Sequence, residues 1–347
     1  MLVAVYGATG YSGIEALKLL TARSDLEVAW IGSDSQKGKK LAEVNPLFRD
    51  TPYDGLRFSE QDAKLPAVDY ALFATPHGFA RRVAPTLIER GIKVIDFSGD
   101  HRLPQAVYEQ WYGKTAEGAA TEAVYGLPEI NRDAIRKATL VANPGCYATA
   151  AALALIPAVE AGIVDARRLV VDAKSGVSGA GRSPQQTTHF VEVSESLKAY
   201  KVGAHQHTPE IEQTLAQVSR RRGGDTEGVR VLMTTQLLPI KRGIYVTAYG
   251  ALLEDMSAQE VAELYWKRYE HEPFVKVLPL GAVPEIRLVT GTNECHIGLH
   301  VDARTKTLLV MSALDNLIKG AAGQAIQNLN LLARVEERAG LTGMAWW

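Results

Sequence analysis

The sequence contains few cysteines, almost no net charge and no long apolar run. Cys146 and Cys295 are its only cysteines among 347 residues, too few for a disulfide framework or a four-thiolate metal site. The 38 Lys and Arg nearly balance 39 Asp and Glu, so charge favours neither nucleic acid nor an anionic membrane as a partner. No run reaches the roughly 18 apolar residues of a membrane span, and the opening MLVAVYGATG indicates a strand rather than a signal peptide. We therefore expect a soluble, reduced, cytoplasmic protein.

The first 140 residues alternate β-rich runs with helical patterns. Strands are predicted at 2–7, 26–32, 69–76 and 93–99, and helices at 14–23 and 79–91. This alternation favours parallel βαβ units in an open sheet covered by helices on both faces. Such sheets bind ligands beyond the carboxyl ends of their strands, so Gly7, Ser33, Thr75 and Ser98 mark the predicted cleft.

The pattern changes near residue 145, after which most elements are strands. A helix is predicted at 146–162, followed by strand-rich runs that start near 168, 229, 243, 286 and 307, and by helices at 257–272 and 316–334. The run that starts at 286 is predicted as strand through 303. We predict an α/β domain over 1–145 and an α+β domain with a mixed, mostly antiparallel sheet over 146–315.

A glycine-rich turn, GATGYSG, joins the first predicted strand to the first predicted helix. Gly7, Gly10 and Gly13 would permit a tight turn, a close approach of the backbone to a pyrophosphate, and close packing of helix on strand. The N–H groups at the start of the helix would then face the phosphates. The position of this turn, between a strand and a helix, predicts a dinucleotide-binding site.

The second predicted strand ends in GSDSQKGKK. Asp34 lies about 20 residues beyond the glycines, where a carboxylate would bind the ribose hydroxyls of NAD. Hydroxyl and ammonium groups of Ser33, Ser35, Lys37 and Lys39 lie at the same place and suit a 2′-phosphate. The pattern favours NADP and leaves NAD open.

Cys146 follows Asn-Pro-Gly and opens an apolar helical run, which is an unusual place for a structural cysteine. The N–H groups and dipole at a helix N-terminus stabilise a thiolate and lower the thiol pKa. The same N–H groups can receive the oxyanion that forms when sulfur attacks a carbonyl. We therefore interpret Cys146 as a catalytic nucleophile and Cys295, which lies in a strand pattern, as a core residue.

The segment AHQHTPEI places two histidines ahead of a predicted helix that starts near Thr208. Their alternate spacing predicts an extended segment with both side chains on one side. No neighbouring residue completes a metal-ligand set, so we expect no metal and interpret His205 and His207 as acid–base residues. A nucleotide-binding turn, a cysteine and a histidine in this order indicate hydride transfer coupled to thioester chemistry.

Six motifs resemble those of one enzyme family, the N-acetyl-γ-glutamyl-phosphate reductases of arginine biosynthesis. They are GATGYSG, NPGCYATA, KSGVSGAGR, AHQHTPEI, RGIYVTAY and DNLIKGAAGQAIQNLN, in the family's order from residue 1 to about 333. The resemblance implies a Rossmann NADP(H)-binding domain, completed by a C-terminal helix over 316–347. It also implies a catalytic second domain that carries the contacts of a homodimer or homotetramer.

The family's reaction would be the NADPH-dependent reduction of N-acetyl-γ-glutamyl phosphate to N-acetyl-glutamate 5-semialdehyde and phosphate. The Cys146 thiolate would displace phosphate to give a thioester, which accepts hydride readily. By resemblance His205 is the acid–base residue, and His207 and Glu210 orient it or contact this small-molecule substrate. Spacing leaves open which histidine moves the proton.

The family motifs also imply binding residues. The implied cofactor contacts are Gly7, Thr9, Gly10, Tyr11, Ser12, Gly13, Ser33, Ser35, Ser178, Gly179 and Asn316. The implied substrate contacts are Arg102, Asn143, Arg182 and Glu210, the arginines because a guanidinium suits a carboxylate or phosphate. Gly320 resembles a cofactor-side position of the family and would also permit close helix packing. Trp346 and Trp347 resemble nothing in the family's usual terminus, and we assign them no role.

Other interpretations stay open from the residues alone. A lysine-biosynthetic relative reduces a carrier-protein-linked aminoadipyl phosphate, one methylene longer, and a pocket discriminates one methylene by only about 1–3 kcal/mol. Aspartate-semialdehyde dehydrogenase is a wider relative, but the HxHTPEI motif argues against it. A nucleotide-sensing Rossmann protein without catalysis would keep the glycine turn and have a Cys146 of ordinary reactivity.

Overall fold

The computed structural model describes residues 1–116, 118, 121–220 and 228–345, which divide into two compact units. The first unit comprises Met1–Pro144 and Ala321–Thr342. The second comprises Gly145–Gly320 and the short stretch that begins at Gly343. Trp346 and Trp347 lie outside the described residues. Over the described ranges, no helix is both long enough and apolar enough to cross a membrane.

The first unit is built on one parallel sheet. Its strands are β1 (Leu2–Tyr6), β2 (Glu27–Gly32), β3 (Phe58–Ser59), β4 (Tyr70–Phe73), β5 (Lys93–Asp96), β6 (Val124–Tyr125) and β7 (Leu140–Ala142). Its helices are α1 (Tyr11–Thr21), α2 (Leu41–Val44), α3 (Phe79–Glu89), α4 (Gln105–Tyr112), α5 (Pro128–Ile135) and α10 (Gly323–Ala333). The strand order is β3-β2-β1-β4-β5-β7-β6, and all neighbouring pairs are parallel. This order reverses direction at β1, where doubly wound sheets bind their ligands, and the predicted α/β class is confirmed.

Helix α10 is a buried polar element of the first unit, where it packs against α1, α5 and β5. The side chains of Gln324 and Asn328 are wholly buried and both donate to the carbonyl of Gly126. Asn328 also donates to the side-chain oxygen of Asn143 at 3.0 Å. The helix therefore fixes Asn143, the first residue of the Asn-Pro-Gly turn, by donating a hydrogen bond to its side-chain oxygen.

The second unit is built on a mixed sheet. Its elements are α6 (Cys146–Ala161), β8 (Leu169–Gly176), α7 (Phe190–Val193), β9 (Lys198–Tyr200), α8 (Thr208–Arg220), β10 (Val231–Leu238), β11 (Ile244–Ala251), α9 (Ala258–Tyr269), β12 (Val275–Val277), β13 (Cys295–Asp302) and β14 (Thr307–Leu314). The strand order is β12-β13-β14-β11-β8-β10-β9, with only β12–β13 and β8–β10 parallel. The predicted mixed, mostly antiparallel sheet is confirmed, and Cys295 is wholly buried in β13 as expected.

The prediction of a strand over 286–303 is wrong for the residues before Cys295. Ile286–Leu288 forms a short 3-10 turn, and the strand begins only at Cys295. The chain turns between them because Gly291 takes a left-handed φ of +83°, and its N–H bonds the Asp315 carboxylate at 2.8 Å. A β-rich composition cannot reveal a turn that a distant carboxylate holds in place.

Helix α6 runs through the centre of the second unit. Every residue from Tyr147 to Val159 is buried, and the helix packs against α8, α9, β11 and β14. Pro157 has no N–H, so the carbonyl of Leu153 lacks its i+4 donor. The hydroxyl of Tyr269 on α9 donates to that carbonyl at 2.6 Å. A tyrosine from a neighbouring helix thus supplies the hydrogen bond that the proline removes.

We expect Tyr269→Phe to lower the free energy of unfolding by about 1–3 kcal/mol, because it leaves the Leu153 carbonyl buried without this donor. In a Pro157→Ala background the new N–H supplies the bond, and the same substitution should cost much less. Urea unfolding of the four proteins measures the difference. Tyr265→Phe is the matched control, since its acceptor Ala154 keeps the N–H of residue 158. If Tyr269→Phe lowered the free energy of unfolding equally in both backgrounds, the explanation would be contradicted.

Candidate active site

Cys146 is the first residue of α6, as predicted. Gly145 forms the N-cap in an extended conformation, with φ of −71° and ψ of 149°. The side chain of Cys146 is partly exposed, whereas Tyr147 and the residues after it are buried. The thiol therefore belongs to the first turn of α6, where the N–H groups and the dipole of a helix favour a thiolate.

Glu210 connects the start of α6 to α8. Its side chain is wholly buried, and its Oε1 accepts the backbone N–H of Gly145 at 2.7 Å. A short bond to a charged acceptor is stronger than one between neutral groups. Glu210 therefore fixes the residue immediately before Cys146.

The histidine segment is a turn, and the prediction of an extended segment is wrong. Lys201 and Gly203 take left-handed φ values of +45° and +66°, and the chain turns directly into α8 at Thr208. The two imidazoles still lie together, with ring centroids 4.7 Å apart. The N–H of His207 donates to Nδ1 of His205 at 3.1 Å. Since Nδ1 is an acceptor, neutral His205 carries its proton on Nε2.

Two tyrosines that sequence reasoning missed enclose the histidines. The ring of Tyr147 lies edge-on to His205 and to His207, with centroids 5.3 Å and 6.1 Å away. The ring of Tyr200 lies 5.9 Å from that of His205. The Tyr200 hydroxyl donates to the Tyr147 hydroxyl at 3.0 Å, which donates in turn to the carbonyl of Gln236 at 3.3 Å. Tyr147 could have been suspected because it follows Cys146, whereas nothing in the sequence marks Tyr200.

Burial keeps these aromatic groups uncharged. It lowers the pKa of His205 to about 2, with further lowering by the neighbouring His207 and Lys201 and an opposing effect of Glu210. It raises the pKa of Tyr147, and it raises that of Tyr200 to about 12. Near neutral pH His205 is therefore an uncharged imidazole, and both tyrosines keep their hydroxyl protons.

A second group in the same unit contains Ser178, Gly179 and Asn316. The Asn316 amide donates to the Ser178 hydroxyl at 2.9 Å, and its oxygen accepts the N–H of Gly243 at 2.8 Å. A Cβ on Gly179 would lie 2.8 Å from the Ser175 hydroxyl, so a larger residue there would have to displace that side chain. Arg182 follows in the same loop and is exposed.

In the first unit the glycine turn is sterically required. Gly7 takes a φ of +70°, and a Cβ on it would lie 2.2 Å from the carbonyl oxygen of Ala74. A Cβ on Gly13 would lie 2.4 Å from the carbonyl oxygen of Gly7. Gly10 is the N-cap of α1, which begins at Tyr11, with Ser12 next to it. The turn therefore presents bare backbone and a helix N-terminus at the point where the sheet order reverses, and these features fit a dinucleotide pyrophosphate.

Three hydroxyl groups form a row beside this turn. The Thr9 and Ser33 oxygens are 3.2 Å apart, and the Ser33 and Ser35 oxygens are 3.3 Å apart. The Asp34 carboxylate bonds the backbone and side chain of Gln61 at 2.8 and 3.2 Å. The row places hydroxyl donors at the end of β2, where the ribose of a dinucleotide binds in doubly wound folds.

The remaining predicted residues of the first unit, Arg102 and Asn143, lie together. Arg102 is buried, and its guanidinium donates to the carbonyls of Asn143 at 2.7 Å and Phe97 at 2.6 Å. Asn143 donates to the carbonyl of Ala321 at 3.0 Å. Within each unit the structure thus brings several of the predicted residues into small bonded groups.

We expect His205 to make the wild-type protein less stable in mild acid. Its folded-state pKa lies below the unfolded value of about 6.5, so only the unfolded chain takes up a proton as pH falls below 6.5. The free energy of unfolding should therefore fall by up to about 1.4 kcal/mol per pH unit from this residue, and His205→Gln should remove that part of the slope. Urea unfolding between pH 7.5 and 5 measures it. His271→Gln, at a 91% exposed side chain, is the control and should leave the slope unchanged; an equal slope in wild type and His205→Gln would refute the assignment.

Comparisons with known proteins agree with this geometry. Residues 2–138 match the family model of the semialdehyde dehydrogenase NAD binding domain, and residues 146–316 match that of the semialdehyde dehydrogenase dimerisation domain. The N-acetyl-gamma-glutamyl-phosphate reductase of Pelotomaculum thermopropionicum is 44% identical over 98% of this chain and 97% of its own. That of Symbiobacterium thermophilum is 45% identical over the same shares.

Solved structures share the fold at low identity. Aspartate semialdehyde dehydrogenase II from Vibrio cholerae superposes with a TM-score of 0.73 at 20% identity, over 96% of this chain and 98% of the other. The enzyme from Candida albicans has a TM-score of 0.68 at 16% identity, over the same shares. The sequence identity of 44–45% to the two reductases, over nearly the whole length of both chains, decides the family. The chain therefore belongs to the N-acetyl-gamma-glutamyl-phosphate reductases, within the semialdehyde dehydrogenase family.

Proposed function

We propose that the protein reduces N-acetyl-γ-glutamyl phosphate to N-acetyl-glutamate 5-semialdehyde and phosphate in arginine biosynthesis. The observation that carries the proposal is the partly exposed Cys146 at the N-terminus of a buried helix, one residue before a tyrosine that contacts both histidines. The proposal draws its substrate from relatives 43–45% identical that carry this activity in their names.

The Cys146 thiolate attacks the acyl carbon of the substrate. A carbon–sulfur bond forms, the bond from that carbon to the phosphate oxygen breaks, and phosphate leaves with the electron pair. When bound, NADPH supplies the hydride that reduces the resulting thioester. The tetrahedral adduct on Cys146 then expels the thiolate, which releases the aldehyde and restores the free cysteine.

The chain's own dipoles stabilise the charge that moves in these steps. The first-turn N–H groups of α6 favour the thiolate before attack and the oxyanion after it. His205 contributes the Nε2–H of a neutral imidazole, because its Nδ1 is bonded to the backbone of His207. We propose that His205 is the residue that presents this Nε2 proton to the reacting oxygen. His207 and Glu210 would hold the segment of His205 in place.

We propose that the first unit binds NADP(H) and that the second carries catalysis and the contacts of a homodimer or homotetramer. Thr9, Ser33 and Ser35 would receive the 2′-phosphate, and the glycine turn the pyrophosphate. Ser178, Gly179 and Asn316 are proposed as further cofactor contacts. Arg102, Asn143, Arg182 and Glu210 are proposed as substrate contacts. A cytoplasmic location fits a biosynthetic reductase of this kind.

We expect purified protein to reduce NADP⁺ when given N-acetyl-glutamate 5-semialdehyde and inorganic phosphate, which is the reverse reaction. Omitting phosphate should abolish the signal at 340 nm, and Cys146→Ser should lower the rate at least roughly 1,000-fold, because the nucleophile is lost. Cys295→Ala, at a buried core position, is the control and should keep the activity. Turnover of only the aminoadipyl or aspartyl homologue would contradict the substrate, and equal activity in Cys146→Ser would contradict the mechanism.

We expect Ser35→Glu to select against NADP⁺. A carboxylate beside a bound 2′-phosphate should raise the KM for NADP⁺ about tenfold or more through charge repulsion, and leave the KM for NAD⁺ within roughly threefold. Steady-state kinetics with both dinucleotides measure this. Ser196→Glu, at an exposed serine of the second unit, is the control. A similar change for both dinucleotides in Ser35→Glu would remove this residue from the 2′-phosphate site.

A further inference from the structure

Gly320 lies directly against the backbone of Cys146. A Cβ placed on Gly320 would be 2.8 Å from the Cβ of Cys146 and 3.2 Å from its Cα. Carbon atoms in favourable contact are about 3.5–4.0 Å apart. Gly320 is not among the residues with left-handed φ, so the requirement for glycine here is steric rather than conformational. Only a residue without a side chain fits while Cys146 keeps its position.

The segment that carries Gly320 is held firmly. Asp315 is wholly buried, and its carbonyl accepts the N–H of Gly320 at 2.9 Å. The Asp315 carboxylate accepts hydrogen bonds from the backbone N–H groups of Gly291, Leu317 and Ile318 and from the guanidinium of Arg242. Residues 315–320 therefore cannot move aside without breaking several bonds of a buried carboxylate.

Cys146 is equally restrained from its own side. The helix that it opens is buried from Tyr147 to Val159, and Gly145 before it is bonded to the carboxylate of Glu210. An added methyl group at position 320 would therefore press on a residue whose neighbours on both sides are fixed. The strain would fall on Cys146 itself, because the atoms nearest to the added methyl group are its Cβ and Cα.

We propose that Gly320 is a positioning residue for the nucleophile and that residues 315–320 set where the Cys146 sulfur lies. A misplacement of 1 Å in a reacting group can cost about 100-fold in rate, so a shift of a few tenths of an ångström is enough to slow the reaction. The inference deepens the proposed function and rests on it only for the choice of substrate.

The test compares Gly320→Ala with Gly55→Ala. A Cβ on Gly55 meets no atom within 4 Å, so that variant carries the same chemical change without the contact. Gly320→Ala should lower kcat about tenfold or more and leave the KM for NADP⁺ within roughly twofold. It should also slow alkylation of Cys146 by iodoacetamide about threefold or more, because the sulfur moves away from the helix N-terminus that stabilises its thiolate. Gly55→Ala should match wild type in all three measurements.

A cooperative thermal transition shows that the variants fold. A folded Gly320→Ala with kcat and alkylation rate within twofold of wild type overturns the proposal. If Gly320→Ala does not fold, Asp315→Asn replaces it, because it keeps the side-chain volume and removes one accepting oxygen. It should lower kcat and slow alkylation at an unchanged KM, and wild-type values for both would equally overturn the proposal.

Failure of the proposed function has a different signature. Wild-type protein that does not turn over N-acetyl-glutamate 5-semialdehyde would refute that function. The iodoacetamide comparison needs no substrate, so it would still decide the role of Gly320.

Discussion

A hydrogen bond joins the segment of Cys146 to the segment of the two histidines: the buried Glu210 carboxylate accepts the N–H of Gly145. Gly145 immediately precedes Cys146, the proposed nucleophile, and Glu210 is the third residue of the helix that follows the histidine turn. A carboxylate without access to water is costly unless it is bonded, so the position of Glu210 is fixed by its need for donors. The segment of Cys146 and the segment of His205 are consequently attached to each other through Glu210.

The rest of the unit holds the start of α6 in place by packing against the helix and bonding to it. The helix is rich in alanine, so neighbouring elements approach it closely on every side. Its carbonyls are contacted by donors from outside the helix: Tyr269 bonds Leu153, Tyr265 bonds Ala154, and Ser312 bonds Ala150. A helix bonded on several sides cannot rotate or slide, and the residue at its first turn inherits that rigidity. Catalytic groups that must meet a substrate within tenths of an ångström benefit from such a support.

The sequence predicts those features whose cause is local. Gly7 marks the nucleotide-binding turn because only glycine permits its φ and its contact with Ala74, and the start of α6 follows from Asn-Pro-Gly before an apolar run. The strands of two or three residues, such as β3 and β6, carry too few residues for a periodic pattern. The roles of Tyr200 and Asp315 depend on partners far away in the chain, and no local pattern signals them. The histidine spacing was compatible with a strand, but Gly203 with its left-handed φ makes it a turn.

The aromatic side chains near Cys146 have in common that they carry polarity without charge. Burial keeps His205 neutral, and it keeps the hydroxyl protons on Tyr147 and Tyr200. A negative charge on Cys146 would raise the pKa of both tyrosines further. In the proposed reaction one negative charge moves from sulfur to a carbonyl oxygen and back. A fixed positive charge would hold the thiolate too tightly in its ground state and gain little at the oxyanion. Oriented N–H groups of α6 and the imidazole Nε2–H can instead stabilise the negative charge first on the sulfur and then on the oxygen. These groups do not have to reorganise when the charge moves. The burial that keeps these residues neutral is therefore a condition of the chemistry as well as a consequence of the fold.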